Sequence, residues 1–139
     1  MSLELKILFT AMSVYFLTAL LTGVWKYQHM LNSPNHQAPT YVNIAHAAAL
    51  HYSFACPVLY LLLSVSHLPS NVHVGALSIM LLFFTSSIAT YIGLGFSNRT
   101  DNQFKQRTLT TTAGMWALIA GEIGGFLVIG YGALTALWE

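Results

Sequence analysis

Charge is what this chain has least of. Of its 139 residues, five are Lys or Arg and four are Asp or Glu, which is 6%. Ordinary soluble domains carry about 25%. So few charges do not suffice to solvate the surface of a chain this small. With a net charge of only +1 there is no basic patch to meet phosphates, so nucleic acid is excluded as a partner. Disorder is excluded as well, because it requires low hydrophobicity and high net charge. The single cysteine, Cys56, rules out an intrachain disulfide and a cysteine zinc site. The chain also lacks a nucleophile elbow, a phosphate loop and a dinucleotide fingerprint. What it has in quantity is apolar sequence: 55% hydrophobic residues and a mean hydropathy of +0.62. That combination predicts an integral membrane protein whose first partner is the lipid bilayer.

Four apolar stretches run from about residues 7–25, 41–65, 72–96 and 109–137. Each is long enough to cross a hydrocarbon layer of ~30 Å, which takes ~20 helical residues. Strand-like alternation is missing, so helices are expected rather than a barrel. The first stretch exceeds the usual ~7–15-residue signal core and lacks a small-x-small cleavage site, so it too is read as a helix. Short links make consecutive helices antiparallel, and the expected fold is a single all-α domain, an up-down four-helix membrane bundle. Lys26, Arg99, Lys105 and Arg107 share one face, whereas Lys6 alone marks the other. The positive face is therefore assigned to the cytoplasm and both termini to the outside. Trp25, Tyr27, Tyr41, Tyr60, Tyr91 and Trp138 lie near span ends, as in an interfacial aromatic belt.

An ionisable residue at membrane depth marks a candidate site. Counted from the positive face, His46 lies ~8 Å deep, His51 ~15 Å and Glu122 ~20 Å. These three are the candidate catalytic residues. A carboxylate at a helix centre costs roughly 2.5–3.5 kcal/mol on insertion scales, so Glu122 must be protonated, paired or facing a polar cavity. It then serves as a proton donor or acceptor or as a ligand contact, unless it forms a plain interhelical hydrogen bond. Glu122 and His51 reach similar depths and would meet if the second and fourth helices are neighbours. Gly121 and Gly125, extended by Gly114 and Gly132, form a small-residue stripe that suits close helix packing.

His46 and His51 stand about 140° apart on a helix, so one metal does not readily take both, and no metal site is assigned. Haem b, or a non-haem metal held by His46 and His36 with a carboxylate, is the lesser alternative. No cofactor is otherwise expected. At the positive face, Lys26, Asp101 and Asn102 form part of a polar mouth above His46, and Tyr52 and Tyr91 place hydroxyls within the spans. These five are the candidate substrate-binding residues.

Several local features resemble the small four-helix bacterial membrane proteins of the hydroxylaminobenzene mutase type. They are Leu20-Leu21-Thr22-Gly23 closing the first helix, Ser33-Pro34 in the loop, Ala45-His46 with Leu50 in the second helix, and Gly121-Glu122 followed by glycines in the last. In that group an acidic residue follows the histidine; here Ala47-Ala48-Ala49 follows, and Glu122 is the carboxyl available. The resemblance implies a bacterial inner-membrane isomerase that converts an aryl hydroxylamine to an aminophenol without an organic cofactor. His46 or Glu122 would act as the acid. The alternative is a non-catalytic accessory subunit, packed by its glycines against other membrane subunits or against further copies of itself.

Overall fold

The computed structural model describes residues 1–138. They form α1 (Leu3–Asn32), α2 (Thr40–Val65), α3 (Ser70–Ser97) and α4 (Met115–Trp138), with a short 3₁₀ turn at Gln103–Lys105 and a π-helical turn at Thr110–Gly114. No strand occurs among the described residues. The four helices, α4 taken together with its π-turn, are each long and apolar enough to cross a membrane. They overrun the apolar stretches at several ends. In α1 the segment from Lys26 to Asn32 stays helical and carries the helix about two turns past Trp25.

Proline sets where α2 and α3 begin. Pro39 and Pro69 precede them, and each carbonyl accepts the backbone N–H groups that open the next helix: Val42 and Asn43 bond to Pro39, Val72 and His73 to Pro69. Neither start has a side-chain cap. Asn98 ends α3 in the left-handed conformation (φ 46°, ψ 30°), its N–H returned to the Leu94 carbonyl. Asn is among the few residues that tolerate this geometry.

Helix contacts follow a regular order. Between α1 and α2, Phe9 meets Tyr60, Phe16 meets Phe54, and the Ala19 carbonyl meets His46. Between α2 and α3, Tyr41 stacks on Tyr91, Tyr52 on Phe84, and Ser66 bonds to His73. The α3–α4 contact depends on glycine. A Cβ at Gly121 would run into Phe83, and one at Gly125 would come within 2.5 Å of Met80 Cγ and 3.0 Å of the Ala76 carbonyl oxygen. Gly132 is pressed in the same way on Ser66 and Leu68. The core consists of small and aliphatic side chains: Ala19, Val42, Ala45, Ala49, Cys56, Leu77 and Ile129 are almost wholly buried. Large apolar residues such as Leu17, Leu21, Leu61, Leu82 and Leu127 point outward from every helix, which suits a lipid surround.

Candidate functional site

The glycine face of α4 sets the position of Glu122. Gly121 and Gly125 are held against α3. One residue on from Gly121 is a turn of about 100° around the helix, and it brings the Glu122 carboxyl toward α2. There the Tyr52 hydroxyl donates to Glu122 Oε1 at 3.3 Å. Tyr52 is fixed in turn by stacking on Phe84, with ring centroids 4.1 Å apart and planes at 20°. Beside this pair lies a cavity of about 360 Å³, open to the outer face of the bundle where Val58, Ile123 and Phe126 are exposed, and lined further by Ala55, Leu59, Met80, Phe84 and Glu122. Glu122 is the one polar side chain in an otherwise apolar wall. Its single hydrogen bond is long and occupies only Oε1. The carboxyl thus has capacity left for a further partner in the cavity.

The two candidate histidines lie elsewhere. His46 Nδ1 donates to the Ala19 carbonyl of α1 at 2.9 Å, which fixes that tautomer. Its ring lies over Gly23, where an added Cβ would come within 3.1 Å of His46 Cε1. The small residue in α1 makes room for the imidazole. His51 is exposed, and its Nδ1 donates to the Ala47 carbonyl of its own helix at 2.7 Å. The expected meeting of His51 with Glu122 is therefore replaced by that of Tyr52, the next residue along and one step round the helix. Among the described residues, no three His, Cys, Asp or Glu side chains are grouped so as to hold a metal ion.

At the loop end a polar pocket of about 870 Å³ is lined by Asp101 and Asn102, along with Asn35, Asn98, Arg99 and Gln103. Lys26 and His46 are not in its wall. Lys105 Nζ donates to Asp101 Oδ1 four residues earlier. This hydrogen bond, together with the ammonium charge, holds the Asp101 carboxyl below the usual carboxylate range. The Tyr41 hydroxyl accepts the Gln103 N–H at 2.6 Å and so ties the loop to α2. Tyr91 lines a second, smaller cavity of about 250 Å³ between α3 and the π-turn.

One polar cluster escapes the sequence reading. At the opposite end of the bundle His73 is 3% exposed and Glu4 is 7% exposed. His73 Nε2 lies 2.9 Å from Ser66 Oγ, and His73 Nδ1 lies 3.8 Å from Glu4 Oε1. Ser70 donates to Glu4 Oε2 at 2.8 Å. The cluster ties α1, the α2–α3 link and the start of α3 together. Its one sequence signal is an acidic residue in the first turn of an apolar helix. Ser66 is wedged against Gly132, and none of the cavities described above opens on the cluster. Its geometry suits a structural tie.

No family model matches the chain, and no curated protein and no solved structure matches it.

Proposed function

We propose that this chain is an integral membrane protein whose working centre is the Glu122 carboxyl in its apolar cavity. The order of helix contacts supports an antiparallel up-down bundle. The clustering of Lys26, Arg99, Lys105 and Arg107 at the loop end supports a cytoplasmic position for that end and an outside position for both termini. A bacterial inner membrane is the location that the resemblance implies.

One observation carries the functional reading: a single carboxyl faces an otherwise apolar cavity of about 360 Å³. Such a wall suits a small apolar ligand, an aromatic ring above all, that bears one nitrogen or oxygen able to exchange a hydrogen bond or proton with Glu122. Aryl hydroxylamines belong to this class. In the proposed isomerisation Glu122 protonates the N–O oxygen and the N–O bond breaks. Water then adds at a ring carbon and returns one proton to the Glu122 carboxylate, and the ring hydrogen at that carbon passes to nitrogen, with no net oxidation. The dry wall limits side reactions of the cation-like intermediate. Tyr52 positions the carboxyl, while His46 is engaged with α1. The test is phenylhydroxylamine incubated with the protein in nanodiscs and analysed for aminophenol. The wild-type chain converts it, and Glu122→Gln loses at least about 100-fold in rate. Absence of conversion by the wild type, or equal rates in the two, overturns the isomerase reading.

A second reading, an accessory subunit, draws on Gly75, Gly93 and Gly124, which have open space where a Cβ would sit and so offer faces to a neighbouring helix. Purification in a mild detergent separates the two readings: a stoichiometric partner chain favours the subunit, and a chain recovered alone or with copies of itself opposes it.

A further inference from the structure

The isomerisation returns the proton to Glu122, but the carboxyl must first take that proton up from water and stay in equilibrium with it, and the bilayer centre offers no water. The loop pocket of about 870 Å³ and the smaller cavity of about 250 Å³ share one wall residue, Gln103. Gln103 is pinned there by its N–H bond to the Tyr41 hydroxyl, and Tyr41 stacks on Tyr91 with centroids 6.1 Å apart. Beyond Gln103 the smaller cavity carries Ser86, Ser87, Thr90 and Tyr91 from α3 and Thr110 and Thr111 from the π-turn. Ser86 turns back to the Phe83 carbonyl of its own helix. Ser87 is buried one turn along α3 from Phe84, on the side against which Tyr52 stacks, and the Tyr52 hydroxyl donates to Glu122. The order from the loops inward is thus Gln103, the hydroxyl-lined cavity, Ser87, Tyr52 and Glu122.

The π-turn is a second, independent sign. A π-turn widens the helix and is frequent at functional sites. This one, Thr110–Gly114, forms the α4 wall of the cavity where α4 starts, before the glycines draw that helix against α3. The hydroxyls in this wall are partners of the kind that buried water needs, and the apolar cavity beside Glu122 lacks them.

We propose that the hydroxyl-lined cavity between α3 and the π-turn is the route by which water brings protons from the loop pocket to Glu122, with Ser87 and Tyr52 completing the path. This rests on the reading of Glu122 as a proton-exchanging site. Among the described residues, no other charged side chain lines the cavity around Glu122.

Cysteine accessibility and isotope exchange test it on the full chain in nanodiscs. Ser87→Cys and Thr90→Cys are exposed to a permanently charged methanethiosulfonate, which reacts only with hydrated thiolate. Cys56 stays in place because it is fully buried. Leu82→Cys, on the outward face of α3 at 64% exposure, is the lipid-facing control. Both cavity positions should react about tenfold or more faster than the control. In parallel, the infrared carboxyl band that Glu122→Gln abolishes is followed after transfer to heavy water. Its exchange should slow several-fold in Ser87→Ala, a substitution that removes one hydroxyl and adds no bulk. Cavity thiols no faster than Leu82→Cys, or exchange unchanged in Ser87→Ala, overturns the route and leaves Glu122 as a ligand site untouched. Conversely, if Glu122→Gln turns over phenylhydroxylamine like the wild type, the functional reading fails while the thiol rates still report on the cavity.

Discussion

The Tyr52 hydroxyl donates to Glu122 Oε1 across the α2–α4 contact, and the same Tyr52 ring stacks on Phe84 of α3. One side chain thereby links three helices around the only carboxyl in the cavity wall. Tyr52→Phe keeps the stacking and removes the bond. Because the bond is 3.3 Å long, the loss of stability should stay below about 1.5 kcal/mol by reversible unfolding in mixed micelles. Any turnover should fall more steeply than stability. A loss of several kcal/mol would mean that the hydroxyl holds the bundle together instead of positioning Glu122.

The α4 glycines should separate into two classes. Gly125→Ala places a Cβ 3.0 Å from the Ala76 backbone carbonyl oxygen, which cannot swing aside. It should destabilise by about 1–3 kcal/mol as α4 is pushed off α3. Gly124→Ala meets nothing within 4 Å and gains helix propensity, so it should be neutral or stabilising by up to about 1 kcal/mol. Equal effects at the two positions would contradict the packing described.

The two histidines of α2 should respond differently. His46→Ala removes a bond to α1 and a ring fitted over Gly23, and should cost about 1–3 kcal/mol. The Ala19 carbonyl keeps the Thr22 hydroxyl at 3.1 Å, which limits the loss. His51→Ala removes an exposed ring bonded to its own helix and should stay within about 0.5 kcal/mol. Thermal unfolding of the two variants side by side checks this.

The Glu4–His73–Ser66 cluster should be coupled. His73→Ala leaves a buried carboxyl without its neighbour and should cost about 2–4 kcal/mol. In Glu4→Gln the penalty for losing His73 should shrink, and a double-mutant cycle reads the difference directly. Additive effects would show that the 3.8 Å approach carries no energy.

The Asp101–Lys105 tie should show itself in acid. The folded pKa of Asp101 lies below its unfolded value of about 3.9, so the contribution is fully present above that value and disappears as the pH falls through the folded pKa. The Asn102 and Phe104 amide resonances should shift with Asp101 only below about pH 4, and Asp101→Asn should abolish the shift.

The four helices were readable from the sequence because hydropathy averaged over about twenty residues is enough to identify them. The depth of Glu122 followed from counting residues at a fixed rise. Its partner did not. In a soluble helix the apolar stripe shows which side faces inward. Here Leu82 faces out and Leu81 faces in with the same chemistry, because lipid and core are equally apolar. The choice between His51 and Tyr52 is one such step around α2. Glu4 was hidden for a different reason. A carboxylate in the first turn looks like an ordinary end charge until the start of α3, which carries His73, is known to lie beside it.

The most direct measurement is calorimetric titration of phenylhydroxylamine into the protein in nanodiscs, under conditions too brief for turnover, with the wild type, Glu122→Gln and His46→Gln compared. Placing the ligand at the Glu122 carboxyl predicts at least about tenfold weaker binding in Glu122→Gln, equivalent to about 1.4 kcal/mol, and wild-type affinity in His46→Gln. Equal affinity in wild type and Glu122→Gln, or loss confined to His46→Gln, would contradict it.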